Sequence, residues 1–212
     1  MIKIIAPDID GILLFPKFPK ILEKSNAPWL SKTFPVFKKS ALRAVELAEF
    51  ITGIKYKVNQ PLIDFLNHLR AGNGYPHIFL HSDRTAMGVK NVWKELSGLN
   101  LGEKDCVQIR GKKDERKKKN GIKKFLGTEA EILISPFIKP DKAALYPLMI
   151  LAKEKGINPV EVLVIDDNHH FLKSARKLGF KIFPNLFINN NQEEAPDIFL
   201  HLLKNFTKTR AL

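Results

Sequence analysis

Cysteine is almost missing from this 212-residue chain. Cys106 stands alone, which excludes an intrachain disulfide and fits a reducing compartment; such a thiol is expected to be a small buried hydrophobe. Long apolar runs are missing too. No stretch reaches the ~18 apolar residues that a membrane-spanning helix needs. The first residues enter a strand pattern directly, without the basic region, apolar core and small-residue cleavage site of a secretory leader. The expectation is therefore a cytoplasmic protein with no membrane partner. No GxGxxG fingerprint or Walker-type glycine loop occurs, which argues against a dinucleotide-binding or P-loop enzyme.

Acidic residues are scarce against basic ones, 22 to 35, giving a formal net charge of +13. The surplus is uneven. From Arg110 to Lys124 there are nine Lys/Arg and two acids, over half of the total excess. Such a balance favours anionic partners, among them phosphorylated metabolites and nucleic acid. A solvated helix face or basic loop is the plainer reading of the same run. No aromatic residue interrupts it and Phe125 is the nearest, so a stacking platform for nucleic acid is not indicated.

What is present is an alternation of strand-like and helix-like segments. Residues 2–6, 77–80, 106–109, 131–135, 160–165 and 181–183 read as short strands. Pro61 opens a helix with Leu62, Phe65, Leu66 and Leu69 on one face. Further helices are expected near residues 86–96, within the basic segment up to Leu126, near 141–155, over 169–178 and over 196–206. This order predicts an α/β fold: a doubly wound, Rossmann-like parallel sheet. Residues 17–57 differ in texture, with Pro19, Pro28 and Pro35 followed by an amphipathic stretch near 36–52. We read 1–16 and 58–212 as the core, 17–57 as a small helical cap insertion, and 110–137 as a candidate second, basic insertion.

Charged and hydroxyl residues stand at the expected strand ends. Asp8-Ile9-Asp10-Gly11 ends the first strand, Ser82-Asp83-Arg84 follows His77–His81, Lys139 precedes Pro140-Asp141, and Asp166-Asp167 ends the run Val162-Leu163-Val164-Ile165. Ligands in open α/β sheets bind beyond the carboxyl ends of the strands. Carboxylates gathered there at ~4 Å repel by ~4 kcal/mol per pair at an effective dielectric of ~20. A divalent cation relieves that repulsion, and all-oxygen ligands suit Mg²⁺. A hydroxyl such as Ser82 and an ammonium such as Lys139 suit the oxygens of a phosphoryl group. Taken singly, each residue has an ordinary alternative. The aspartates form turns or cap helices, Ser82 is a turn or cap residue, and Lys139 lies on the surface.

Together, in this order, these four motifs resemble the haloacid dehalogenase-like (HAD) superfamily, and the resemblance covers most of the chain. It implies a phosphatase of Rossmann-like fold. Asp8 would attack phosphorus and Asp10 would serve as general acid and base. Ser82 and Lys139 would hold the transferring group. Asp83 and Arg84, just after Ser82, are read from their position as candidate substrate contacts, with turn formation or surface pairing as the plainer reading. Asp8, the backbone carbonyl of Asp10, Asp167 and Asp166 would hold Mg²⁺. Asp10 itself separates this reading from the dehalogenases, for which the resemblance predicts no such carboxylate. There are departures. Ile12 replaces the usual Thr or Val, Pro7 directly precedes the nucleophile position, and Phe171 stands four residues beyond Asp167 where a further Asp or Asn is common. His169-His170 suggests metal ligation, but adjacent helical residues point apart and no partner lies at ligand spacing, so a solvent or capping role is expected. The expected function is Mg²⁺-dependent hydrolysis of a phosphate monoester on a small molecule. The alternative is a basic binding protein on the same fold, holding nucleic acid through the segment from Arg110 to Lys124.

Overall fold

The computed structural model describes residues 1–16, 46–47, 49–51, 56–73, 76–112 and 119–184. Strand β1 is Ile4–Pro7, β2 is Leu14–Pro16, β3 is Tyr56–Val58, β4 is His77–His81, β5 is Cys106–Arg110, β6 is Glu131–Ser135, β7 is Val162–Asp166 and β8 is Lys181–Pro184. Helix α1 is Gln60–Asn73, α2 is Ala86–Trp93, α3 is Lys119–Leu126, α4 is Tyr146–Glu154 and α5 is His169–Lys177.

Six strands form one sheet in the order β6-β5-β4-β1-β7-β8, and each described pair in it is parallel. The chain runs outward from β1 on one side through β4, β5 and β6, then returns to β7 on the other. The topological switch therefore lies at β1, between β4 and β7, where the carboxyl ends leave a crevice.

The strands carry near-continuous hydrophobic runs because both faces of a parallel sheet are covered. Successive side chains alternate between two cores. Ile4 and Ala6 of β1, with Val162 and Val164 of β7, pack under α4 and α5 against Leu148, Leu151, Leu172 and Ala175. Ile5, Leu163 and Ile165 face the other way, onto Leu62, Ile63 and Leu66 of α1 and Val89 and Val92 of α2. Ile4 and Ile5 have no exposed surface, and full burial of each side chain is worth about 1.5–3 kcal/mol. The strand that carries Asp8 is thus held from both faces.

Pro7 is the last residue of β1, but the hydrogen bonding runs on past it. It pairs with Ile165 in register, and the ladder continues: the Asp8 amide donates to the Ile165 carbonyl at 2.9 Å and the Ile9 amide to the His81 carbonyl at 3.3 Å. Asn59 then ties the loop after β1 to the start of α1. Its side chain donates to the Ile12 carbonyl at 3.0 Å and accepts the Leu62 amide at 3.3 Å, an N-cap.

β2 and β3 pair antiparallel and form the stem from which residues 17–55 leave. The expected cap lies mostly outside the described residues; within it, 46–47 and 49–51 are helical. The helix expected over 196–206 also lies outside them. Of the stretch 110–137 expected as a second insertion, 119–126 and 131–135 instead build α3 and the edge strand β6 of the main sheet, which pairs with β5 over five residues. The strand expected at 160–165 begins only at Val162, because Asn158 and Glu161 form a reciprocal capping box around a 3₁₀ turn at Pro159–Glu161. Cys106 is buried, and burial pushes its thiol up to about 12.

Candidate active site

β1, β4 and β7 deliver their last residues to the switch point side by side. Asp8 leaves β1 buried, at 4% exposure. One carboxylate oxygen, Oδ2, is ion-paired with the Lys139 ammonium. The other, Oδ1, is buried with no hydrogen-bond partner. An orphaned carboxylate oxygen in a dry site is costly, and burial pushes the Asp8 carboxyl well above the usual range.

Lys139 arrives from the loop after β6 and is also buried. Its ammonium lies 3.0 Å from Oδ2 of Asp166 as well as against Asp8. Burial alone disfavours the charge, but Asp8, Asp166 and Asp83 outweigh it and hold the ammonium above the ordinary lysine range. Asp166, at the end of β7, uses its second oxygen to accept the Asn168 amide at 2.7 Å. Burial raises its pKa, yet Lys139, His81 and the Asn168 amide together prevail and keep it below the usual value. Asp166 is therefore the ionised partner of Lys139, and Asp8 is the acid left short of donors.

His81 and Phe171 wall the same cluster. His81 Nε2 donates to the Ala6 carbonyl at 3.1 Å, and its Nδ1 lies 3.7 Å from Asp166. Burial, then the nearby Lys139 charge, pushes the imidazole down to about 3, so it is neutral. Phe171 packs its ring 5.4 Å from that of His81 and 5.6 Å from the Lys139 ammonium. Where the resembled family often carries another acid, this chain places an aromatic face against its buried cation.

Asp167 faces the loop after β1. A Cβ built on Gly11 would lie 2.6 Å from Asp167 Oδ2, and Gly11 has φ +78°. Only glycine admits both the turn and the carboxylate there. Burial, then the neighbouring Asp166 charge, pushes the Asp167 carboxyl up to about 6. The donor set fits a hard divalent cation: an unpartnered oxygen on Asp8, the under-neutralised Asp167 and carbonyl oxygens of the β1 loop. Asp8, His81 and Asp166 also offer ligand atoms within 4.8 Å of one another. In that corner, however, the Lys139 ammonium already supplies the positive charge. Asp166, expected as a ligand, is committed to Lys139 and Asn168.

The loop after β4 accounts for the rest. Ser82 is buried, and its Oγ accepts the Arg84 amide at 3.0 Å. Asp83 accepts the Lys139 amide at 2.9 Å, which ties this loop to the one carrying the lysine. Asp10 is held by Arg84, with Nη2 to Oδ1 at 2.7 Å and Nε to Oδ2 at 2.9 Å. Arg84 also reaches Glu49, at 2.5 Å from Nη1, and the Tyr56 hydroxyl at 3.1 Å. His169 and His170 are exposed at the start of α5, capped by Asn168.

Of the residues the sequence singled out, Asp8, Lys139 and Asp166 meet in ion pairs at the switch point, Asp167 stands beside Gly11, and Ser82 follows the end of β4, bonded to the Arg84 amide. The sequence reading missed His81, Glu46, Glu49 and Tyr56. Glu46 and Glu49 stand one helical turn apart, so they share a face, and that spacing was the available signal. Arg110, counted in the basic segment, is buried in an ion pair with Glu46 at 3.2 Å. Lys119 and Lys123 lie 3.9 and 3.4 Å from Glu131 and Glu129. The described part of the segment lends no support to nucleic-acid binding, and 113–118 lie outside it.

No protein-family model matches the chain, and no curated protein matches it. Solved structures do. A predicted HAD-like family hydrolase from Porphyromonas gingivalis superimposes with a TM-score of 0.51 at 17% identity, covering 96% of this chain and 98% of that one. The fold is HAD-like. A HAD family enzyme from Bacteroides thetaiotaomicron, in complex with magnesium and inorganic phosphate, gives a TM-score of 0.50 at 17% identity over 91% and 98% of the two chains. A predicted phosphoglycolate phosphatase from Haemophilus somnus gives 0.52 at 16% identity over 97% and 98%. At such identities the likeness is one of fold. On this HAD-like sheet the cluster occupies the carboxyl end of β1. No helix among the described residues is long and apolar enough to cross a membrane.

Proposed function

We propose that the protein is a Mg²⁺-dependent phosphohydrolase that cleaves a phosphate monoester of a small molecule through an aspartyl-phosphate on Asp8. The observation that carries this reading is the pair formed by Asp8 and Lys139. A buried carboxylate has one oxygen against a buried ammonium and the other oriented to nothing, at the switch point of a HAD-like sheet. The magnesium and phosphate held by the Bacteroides thetaiotaomicron enzyme agree with it.

Asp8, Asp167 and the Asp10 carbonyl would hold the cation, which supplies charge neutralisation between the carboxylates and the phosphoryl oxygens. The Asp8 oxygen not given to the cation attacks phosphorus. The bond to the ester oxygen breaks, and Asp10 gives that oxygen its proton. Lys139 and Ser82 steady the transferring group, and Asp166 keeps the Lys139 ammonium in place. Water then attacks the phosphorus of the aspartyl-phosphate, loses its proton to Asp10 and releases phosphate, which restores Asp8.

The test is release of inorganic phosphate from an aryl phosphate by the purified protein. Release should require Mg²⁺, stop on chelation and vanish in Asp8→Asn. Turnover that persists in Asp8→Asn, or is indifferent to chelation, overturns the reading.

A further inference from the structure

The guanidinium of Arg84 has every donor engaged, on partners from three parts of the chain. Nε lies 3.1 and 2.9 Å from the two oxygens of Asp10, and Nη2 lies 2.7 Å from Oδ1. Toward the insertion, Nη1 and Nη2 reach the two oxygens of Glu49 at 2.5 and 3.0 Å, and Nη2 reaches the Tyr56 hydroxyl at 3.1 Å. Nη1 also donates to the Gly88 carbonyl at 3.3 Å. Tyr56 in turn donates to Glu49.

We propose that Arg84 is the positioning residue for the Asp10 carboxylate, and that Glu49 and Tyr56 fix Arg84 in turn. The proposal rests on the phosphatase reading, in which Asp10 moves the protons. Asp10 stands at a loop, on the approach to a positive-φ glycine, and a carboxylate there is free to rotate unless held. A planar fork fixes both its position and its plane, which a lysine point charge does not. The Arg84 side chain is only 8% exposed while that of Asp10 is 41% exposed. The guanidinium is thus spent on protein partners, and the carboxylate still meets the crevice. A carboxylate offers about four acceptor sites, so Oδ2 keeps capacity for a substrate oxygen or a water.

The second anchor lies one helical turn away. Glu46 accepts the Thr85 amide at 2.8 Å and the Thr85 hydroxyl at 2.7 Å, and pairs with Arg110. Gly88 makes this approach possible, since a Cβ there would lie 2.6 Å from the Glu46 carboxylate. Seating of Glu46 and Glu49 on the loop after β4 is therefore linked to the orientation of Asp10.

The experiment compares wild type, Arg84→Lys, Asp10→Asn and the double variant on phenyl phosphate, a poor leaving group, and 2,4-dinitrophenyl phosphate, a good one, with saturating Mg²⁺. General acid catalysis contributes on the order of 10²–10⁴-fold where the leaving group is poor. Arg84→Lys should lower kcat/KM for phenyl phosphate by about 10–100-fold and leave 2,4-dinitrophenyl phosphate within about threefold. Asp10→Asn should show the same asymmetry, and Arg84→Lys should cost nothing further in that background. Equal losses on both substrates, a matching rise of KM on both, or additivity with Asp10→Asn would overturn the proposal. Glu49→Gln, which leaves Arg84 intact, should reproduce the asymmetry in weaker form; unchanged behaviour removes Glu49 from it. Wild type inactive on both substrates is instead the failure of the phosphatase reading. The pairing is then read by NMR. An Arg84 Nε–H that exchanges slowly in wild type and quickly in Asp10→Asn supports it, and equal exchange overturns it.

Discussion

Lys139→Met removes the cation at the centre of the site and keeps comparable bulk. The ammonium touches both Asp8 and Asp166, whose ligand oxygens lie within 4.8 Å of each other. At that separation two bare carboxylates repel by roughly 3–4 kcal/mol at an effective dielectric of ~20. Loss of one partner from a buried pair costs about 3–5 kcal/mol in its own right. These are two views of one penalty, and about 4 kcal/mol is the expected loss. At about 2–4 °C per kcal/mol for a chain of this size, the melting temperature should fall by roughly 8–16 °C. The assay is thermal unfolding by circular dichroism with a chelator present, at pH 8 and pH 5. The pKa of Lys139 is raised in the folded protein. Its stabilisation is fully present below the unfolded lysine value and is lost only as pH rises through the folded one, so at pH 8 all of it is at stake. In the variant an uncompensated carboxyl has a raised folded pKa. That group is unharmful at low pH and costs stability as pH rises. The deficit should therefore shrink between pH 8 and pH 5. A melting temperature within about 2 °C of wild type at pH 8, or a deficit equal at both pH values, refutes this account of the site.

Other consequences follow from the same geometry. His81 is neutral in the fold with its pKa at about 3, against 6.5 for an unperturbed histidine. A base depressed in this way contributes stability above pH 6.5 that is lost as pH falls toward 3, at about 1.4 kcal/mol per pH unit. Denaturant melts of His81→Gln between pH 6 and 4 should show a slope flatter by about one proton, and an unchanged slope removes His81 from the acid response. Gly11→Ala forces a side chain into positive φ and against Asp167. It should lose about 1–2 kcal/mol in urea melts and need more Mg²⁺ for half-maximal phosphate release; a variant equal to wild type in both would show that Asp167 does not need this space. Asp167→Asn should raise the Mg²⁺ requirement at least tenfold, whereas an unchanged titration would take Asp167 out of the cation site.

Much of the architecture was legible because burial leaves a periodic trace. Ile4–Pro7 and Val162–Asp166 read as strands since a parallel sheet is covered on both faces, and their acidic ends read as a site since strand ends are where such sheets open. Boundaries were less legible. The segment after Arg110 looked like an insertion because its charge is extreme, yet the apolar Ile132, Leu133 and Ile134 place it in the sheet.

What the sequence determined by itself was the order of the strands and helices, and that Asp8, Ser82, Lys139, Asp166 and Asp167 stand where strands end. Tertiary structure alone decided who pairs with whom. Lys139 meets Asp166 across 27 positions of chain, and Arg84 meets Asp10 across 74. Two adjacent aspartates, identical in composition, were divided into the salt-bridged Asp166 and Asp167, which lies against Gly11. Phe171 became the wall beside a buried ammonium. Hydrophobic periodicity records only which side of an element is covered. The state and partner of a charge depend on its distance to other charges and on the water excluded around it, and those are set when remote segments meet.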